Sequence, residues 1–135
     1  MENTDEGYVF SSLTVSSYVW TAHEIFSHLG PADYLQEKGE LMGNQKTRFE
    51  SSNWIKHFEK VEGDSFGESL LAVKKFCEDV ESELESLKLK DPRLSLHAEL
   101  IFNMGSYHFG GILDPQVVAY LEGMGVSFCL SIYPN

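Results

Sequence analysis

Residues 65–104 read SFGESLLAVKKFCEDVESELESLKLKDPRLSLHAELIFNM, and their hydrophobic period changes once, at Asp91-Pro92. Before that point, apolar residues recur at spacings of four and three, which is typical of one face of an amphipathic helix. After it, apolar residues occupy every second position, which is typical of a strand with one buried face. The stretch therefore predicts one long helix followed directly by a half-buried strand.

The ends of the long helix carry the expected signals. Ser65 and Glu68 form a capping-box pattern at its start, and Lys88 and Lys90 lie near its end, where cations suit the helix dipole. Its predicted apolar seam consists of Phe66, Leu70, Val73, Cys77, Val80, Leu84 and Leu87. The buried face of the following strand is predicted to consist of Leu94, Leu96, Ala98, Leu100, Phe102 and Met104.

The residues before this stretch predict a strand, a short helix and two further strands. The first strand runs from Tyr8 to about Ser16, where the residues alternate. The short helix begins with a second capping box, Thr21 to Glu24, and ends at Gly30-Pro31. Turn-forming glycines separate two further strands, which we place near Tyr34–Gln36 and Arg48–Phe58.

The residues after this stretch predict another helix and a last strand. Asp114 suits the N-cap of a helix, Pro115 suits its first position, and Gly125 ends it. The predicted apolar face of this helix is Val117, Tyr120, Leu121 and Met124. The last strand alternates, with Val126, Phe128, Leu130 and Ile132 on one face and Ser127, Cys129, Ser131 and Tyr133 on the other.

This order of elements predicts an α+β fold built as a two-layer sandwich. We expect an antiparallel or mixed sheet of four to five strands with one long and two short helices, and ferredoxin-like wiring of the central elements. The 135 residues suit a single domain, since no linker or change of composition divides them. Residues 1–7 are predicted to be a flexible acidic N-terminus.

The charge balance restricts the classes of partner. The chain has 10 Lys and Arg against 21 Asp and Glu, a net charge of −11. Nucleic acids and anionic membranes would repel such a surface, whereas a basic protein would be attracted to it. Solubility alone is the other explanation of the acidity.

The sequence also indicates a compartment. Its first residues lack the basic and apolar regions of a secretory signal, and no apolar run approaches the roughly 20 residues that span a bilayer. Cys77 and Cys129 are too few for a disulfide framework, and both are predicted to be small buried hydrophobic residues. We therefore expect a cytoplasmic protein in a reducing environment.

Catalytic and metal-binding patterns are weak. A zinc-binding helix needs two His four residues apart, but His23 and His28 are five apart, about 140° around a helix. The seam position of Cys77 disfavours a reactive thiolate. We predict no enzyme, no cofactor and no metal site; an enzyme would need a cleft in which His57, His97 or His108 meets carboxylates.

Two groups of residues are candidates for a partner-binding surface. Five carboxylates lie within eight positions of the predicted long helix: Glu78, Asp79, Glu81, Glu83 and Glu85. They form either a solvated helix face or a docking surface for a basic partner. The second group is Tyr107-His108-Phe109, because aromatic residues are enriched at interface hot spots. The other interpretation is that Phe109 packs back on the following helix.

The chain resembles a bacterial family of domains of unknown function, numbered four-two-seven-nine. The resemblance covers nearly the whole chain and is carried by residues that begin or end helices and strands. The residues that carry the resemblance are Leu29-Gly30-Pro31, Lys38-Gly39-Glu40, Trp54, Leu113-Asp114-Pro115, Gly125 and Ile132-Tyr133. The family has no activity to carry over, but its members look like immunity proteins encoded beside polymorphic or contact-dependent toxins. The resemblance therefore implies a protein that binds a cognate toxin domain.

Our leading hypothesis from the sequence is an immunity protein whose partner is a basic, nuclease-like toxin domain. The alternative is a small ligand-binding or regulatory domain with a site between sheet and helices. A deep apolar pocket with convergent polar groups would favour that alternative. The oligomeric state stays open.

Overall fold

The computed structural model describes residues 6–59, 61–62, 66–105 and 114–133 of the chain. The strands in these ranges are β1 (Glu6–Ser17), β2 (Tyr34–Gln36), β3 (Ser52–His57), β4 (Val61–Glu62), β5 (Ser95–Gly105) and β6 (Val126–Tyr133). The helices are α1 (Ala22–Leu29), α2 (Phe66–Asp79), α3 (Glu81–Lys90) and α4 (Pro115–Gly123). The predicted α+β class is confirmed.

The strands form one mixed sheet in the order β2-β3-β1-β5-β6. All neighbours in this order are antiparallel except β5 and β6, which are parallel. The two-residue β4 pairs with Tyr8 and Val9 of β1, beyond the end of β3. Because β3 lies between β1 and β2, the elements from β1 to β5 have the split β-α-β wiring expected of a ferredoxin-like arrangement. The α4–β6 unit is added at the edge of that arrangement.

The alternation of the strands gives the sheet one buried and one open face. Val9, Leu13 and Val15 of β1 are fully buried, and alternate residues of β5 such as Ala98 and Leu100 are buried as well. These side chains form one apolar cluster with residues from all four helices. The helices therefore cover a single face of the sheet, and the predicted two-layer sandwich is confirmed.

Helix α1 has the predicted bounds and the predicted capping box. The Thr21 Oγ1 accepts from the Glu24 N–H at 3.0 Å, and the Glu24 carboxylate accepts from the Thr21 N–H at 2.9 Å. The chain leaves the helix at Gly30 with a φ of 91°, a conformation that glycine adopts without strain.

The predicted long helix is wrong in its continuity, because the structure has two helices that meet at Val80. Val80 has φ −115° and ψ 19°, outside helical geometry, although its N–H still donates to the Phe76 carbonyl. The interruption is a kink, and the spacing of the seam gives a reason for it. Apolar residues with a mean spacing of 3.5 drift by about 20° per seven residues around a straight helix, so one straight helix would not keep the whole seam on one side. The kink separates α2, which packs on β1 and β5, from α3, which packs on α1.

Asp91 ends α3, as the sequence predicts, and it is almost completely buried. Its carboxylate accepts from the Ser17 hydroxyl at 2.6 Å and from the Arg93 N–H at 3.0 Å. The same Ser17 oxygen accepts from the Trp20 N–H at 2.8 Å. This buried network holds the end of α3 against the end of β1.

The last strand differs from its prediction, because β6 has no buried face. Val126 is buried, but Phe128, Leu130 and Ile132 are 38%, 61% and 60% exposed. The physical reason is position: β6 is an edge strand, and the helical layer covers only its first residue. Cys129 is consequently exposed, so the prediction that it is buried is wrong, whereas Cys77 is buried as predicted.

Smaller differences concern the strand bounds. β3 is shorter than the predicted Arg48–Phe58, β4 is not predicted, and β1 begins within the predicted flexible segment 1–7. Residues 1–5 and the predicted cap Ser65 lie outside the described residues. Within the described ranges, none of the helices combines the length and the apolar character needed to cross a bilayer.

Candidate functional site

The kink at Val80 distributes the five predicted carboxylates over two helices. Glu78 and Asp79 lie in the last turn of α2, and Glu81, Glu83 and Glu85 lie in α3. Four of the five residues are exposed, the exception being Glu83. We call Glu78, Asp79, Glu81 and Glu85 the acidic patch.

Glu83 is engaged within the molecule and is left out of the patch. Its carboxylate lies 2.9 Å from the Nδ1 of His28, which joins α3 to α1. The His28 ring also packs edge-on against Trp20, with ring centroids 5.3 Å apart. The Trp20 indole in turn donates to the Leu87 carbonyl at 2.9 Å. These contacts give Glu83 a role in positioning the helix.

Two members of the patch have partners in the molecule. The Tyr120 hydroxyl of α4 donates to Glu81 Oε1 at 2.8 Å, and the Lys74 Nζ donates to Glu78 Oε2 at 3.2 Å. Burial raises the pKa of Tyr120, and the hydrogen bond to Glu81 and that carboxylate's charge raise it further. Tyr120 therefore remains a proton donor to Glu81 at neutral pH.

The other two members, Asp79 and Glu85, form no hydrogen bond or ion pair with any residue that the structure describes. The lysines at the far end of α3 are also occupied. Lys88 Nζ donates to the Met124 carbonyl at 2.6 Å, and Lys90 Nζ lies 5.0 Å from the centroid of the Trp20 ring. The negative charge of Asp79 and Glu85 is thus directed to solvent.

An exposed leucine adjoins the patch. Leu89 is 84% exposed, the largest exposure among the large hydrophobic residues that the structure describes. It follows Glu81 and Glu85 at intervals of four residues, so the three side chains lie along one face of α3. The patch can therefore offer a partner both negative charge and an apolar contact.

The second predicted group, Tyr107, His108 and Phe109, lies outside the described residues.

The open face of the sheet is a surface that the sequence analysis missed. His57 lies between Phe10 and Tyr34, with ring centroids 5.7 Å and 5.5 Å away, and Tyr8 stacks beyond Phe10 at 6.2 Å. From Tyr8 to Ser16 of β1 and from Ser95 to Asn103 of β5, the residues on this face are uncharged except Glu99, whose carboxylate accepts from the Ser131 hydroxyl. Uncharged side chains on the solvated positions of two strands are the signal that would have identified it.

A small apolar hollow lies between α2, α4, β5 and β6. Its volume is about 300 Å³, at the lower end of the range of ligand pockets. It is lined by Leu70, Leu100, Val118, Phe128, Cys129 and Leu130. The other five lining residues have apolar side chains, and the Cys129 side chain alternates with Phe128 and Leu130 to the other face of the sheet, so the hollow lacks the convergent polar groups that would orient a polar ligand.

The histidines that the structure describes are dispersed. His23 Nδ1 lies 2.6 Å from Glu37, whereas His28 contacts Glu83, so the two His of α1 bind different carboxylates. His97 Nδ1 contacts the Ser127 hydroxyl at 2.9 Å. No group of three or more His, Cys, Asp or Glu residues in the described ranges is close enough to hold a metal ion.

Comparisons with known proteins add no relative to this geometry. None of the protein-family models, curated proteins or solved structures compared with the chain matches it. The resemblance to the family of domains of unknown function therefore depends only on the residues named for it above, from Leu29-Gly30-Pro31 to Ile132-Tyr133.

Proposed function

We propose that the protein is an immunity protein that acts in the cytoplasm, where it binds a basic toxin domain and blocks its substrate site. The observation that carries the proposal is the exposed acidic patch at the α2–α3 kink of a chain with a net charge of −11. A nuclease binds phosphate through clustered Lys and Arg. An acidic surface complements such a cleft.

The electrostatic contribution is expected in the association rate more than in the affinity. Exposed ion pairs each contribute only about 0–1 kcal/mol, because solvent screens them. Charge complementarity instead steers the encounter and can raise association rates by about 10–10³-fold at low salt. The unpaired carboxylates of Asp79 and Glu85 supply this steering, and Leu89 supplies apolar area for contact.

The test looks for a large toxin gene that ends immediately upstream of the gene for this chain, and it uses the C-terminal domain of that toxin. Cells that express this domain should survive when they also express the protein, and the two should copurify. The double variant Asp79→Lys/Glu85→Lys should slow association about tenfold or more at low salt, and by less at high salt, since screening weakens steering. Association would be measured by surface plasmon resonance at two salt concentrations.

The matched control is Glu50→Lys/Glu59→Lys, which changes the net charge by the same amount at two exposed positions on either side of β3, outside α2 and α3. Equal slowing by both double variants would assign the effect to total charge and would remove the patch as the docking surface. Absence of both copurification and protection with the wild-type chain would contradict immunity.

A further inference from the structure

The two edges of the sheet differ in length and in charge. β2 has three residues, whereas β6 has eight, and no charged residue occurs from Val126 to Tyr133. Edge strands in monomeric proteins are usually protected by charged side chains, bulges or short length. β6 has none of these features. It is long and uncharged, and it contains no bulge, because it pairs with β5 residue by residue over its whole length, from Leu96↔Val126 to Asn103↔Tyr133.

The side chains of β6 have the composition of a central strand. Phe128, Leu130 and Ile132 point to the helical side of the sheet, and we call them the β6 apolar row. They are 38%, 61% and 60% exposed, although their neighbours on β5 are buried. Phe128 and Leu130 also form one wall of the apolar hollow. Among the residues that the structure describes, none pairs with the outer edge of β6, so an unpaired backbone edge and an exposed apolar row coincide on the same strand.

We propose that β6 pairs with β6 of a second copy of this chain. The two strands would run antiparallel about a twofold axis, so that the sheets of the two copies become continuous. Twofold symmetry requires the same surface on both copies. The hydroxyl and thiol side chains of β6 alternate with the apolar row. In the register centred on Leu130, Phe128 lies opposite Ile132 and Leu130 lies opposite its own copy, so the whole row is matched.

The absence of charged side chains on β6 lets a second copy of this acidic chain approach at this edge. Like charges directly opposite each other destabilise strand pairs, and β6 has no charged side chain to oppose. The paired row would also extend the apolar wall of the hollow, which β6 leaves open to solvent. This inference concerns a different surface from the acidic patch and does not rest on the proposed function.

Salt separates the two proposals. The copies each have a net charge of −11, so long-range repulsion opposes dimer formation, and added salt should strengthen the dimer. Docking of the acidic patch on a basic domain should weaken with salt. Either proposal can therefore fail while the other holds.

The experiment is sedimentation equilibrium of the full chain over a wide concentration range at low and high salt. The expected mass rises with concentration towards twice the 15.3 kDa of the chain, and it rises at lower concentration in high salt. Leu130→Lys should raise the dissociation constant about tenfold or more, because it removes apolar contact and places two like charges at the edge. Leu130 is 61% exposed, so circular dichroism should show an unchanged fold.

The control variant is Leu41→Lys, which changes an exposed leucine near the opposite edge of the sheet and should leave the dissociation constant unchanged. Hydrogen exchange gives a second readout: amide protection in β6 should increase with protein concentration, and that in β2 should not. The proposal is overturned by a monomer at all concentrations and both salts, by a dimer that Leu130→Lys does not weaken, or by an edge that pairs only with a strand of another protein.

Discussion

The two ends of the sheet are completed in different ways. At the β2–β3 end, the Glu37 carboxylate accepts from the N–H groups of Ala22 and His23 at 2.7 and 3.2 Å, which fixes the start of α1. The Trp54 indole donates to the Gly30 carbonyl at 2.9 Å, which fixes its end. At the β5–β6 end, the strand after α4 keeps its apolar row in solvent. Similar helix–strand patterns thus lead to one edge that is anchored to its helix and one edge that keeps an exposed apolar row, because contacts distant in sequence decide the difference.

The largest effect is expected at Trp54. The side chain is fully buried and stacks on Phe76 with ring centroids 5.6 Å apart. Trp54→Ala should lower the free energy of unfolding by about 3–5 kcal/mol, because it leaves a cavity and the Gly30 carbonyl without its donor. Urea unfolding would measure the loss. Tyr34→Ala, at a 56% exposed position of the same edge, should cost much less, and equal losses would contradict this assignment.

A smaller effect is expected at Glu37. Burial alone would raise the pKa of its carboxyl, but hydrogen bonds from the His23 ring and from the Ala22 and His23 amides outweigh burial and lower it. The stability that this carboxylate contributes is therefore present at neutral pH and is lost as the pH falls through the lowered folded-state value. Glu37→Gln should cost about 1–2 kcal/mol at pH 7.

The pH dependence provides the control for Glu37. The difference in unfolding free energy between wild type and Glu37→Gln should disappear in acid, where the wild-type carboxyl is protonated as well. Glu50→Gln, at an exposed position, should match wild type at each pH. A Glu37→Gln difference that persists unchanged in acid would show that shape, and not charge, accounts for the loss.

The smallest effect is expected in β6. Ile132→Thr should change the free energy of unfolding by no more than about 0.5 kcal/mol in dilute solution, because 60% of Ile132 is already in contact with solvent. Thermal or urea unfolding at low protein concentration would measure it. A loss of 2 kcal/mol or more, roughly that of burying an isoleucine, would mean that this edge is covered in the monomer.

Elements with local signals are predicted best. The bounds of α1 follow from Thr21, Glu24 and Gly30, which act on their own backbone neighbours. The long seam correctly predicts the buried residues Val73, Cys77 and Leu84, but it does not predict the kink at Val80. The spacing of apolar residues records which side of a helix is buried, whereas continuity depends on what each half packs against.

The candidate site follows the same rule. The sequence groups the carboxylates, but the partner of Glu83 is His28, which lies 55 residues away, and no local pattern relates them. The exposure of β6 depends on strand order, since alternation predicts two different faces and not which of them is covered. The open sheet face was missed because its residues come from several strands that are distant in sequence.

The two cysteines differ in exposure, since Cys77 is buried and Cys129 is exposed. The natural chain can therefore be labelled selectively at Cys129. Burial, together with the charge of Glu78, raises the pKa of the Cys77 thiol to about 11, although Lys88 opposes the rise. The nucleophilic thiolate of Cys77 is therefore scarce at neutral pH, whereas Cys129 is accessible on β6. A maleimide dye should attach at one position without any substitution, and its fluorescence would report directly on events at the β6 edge.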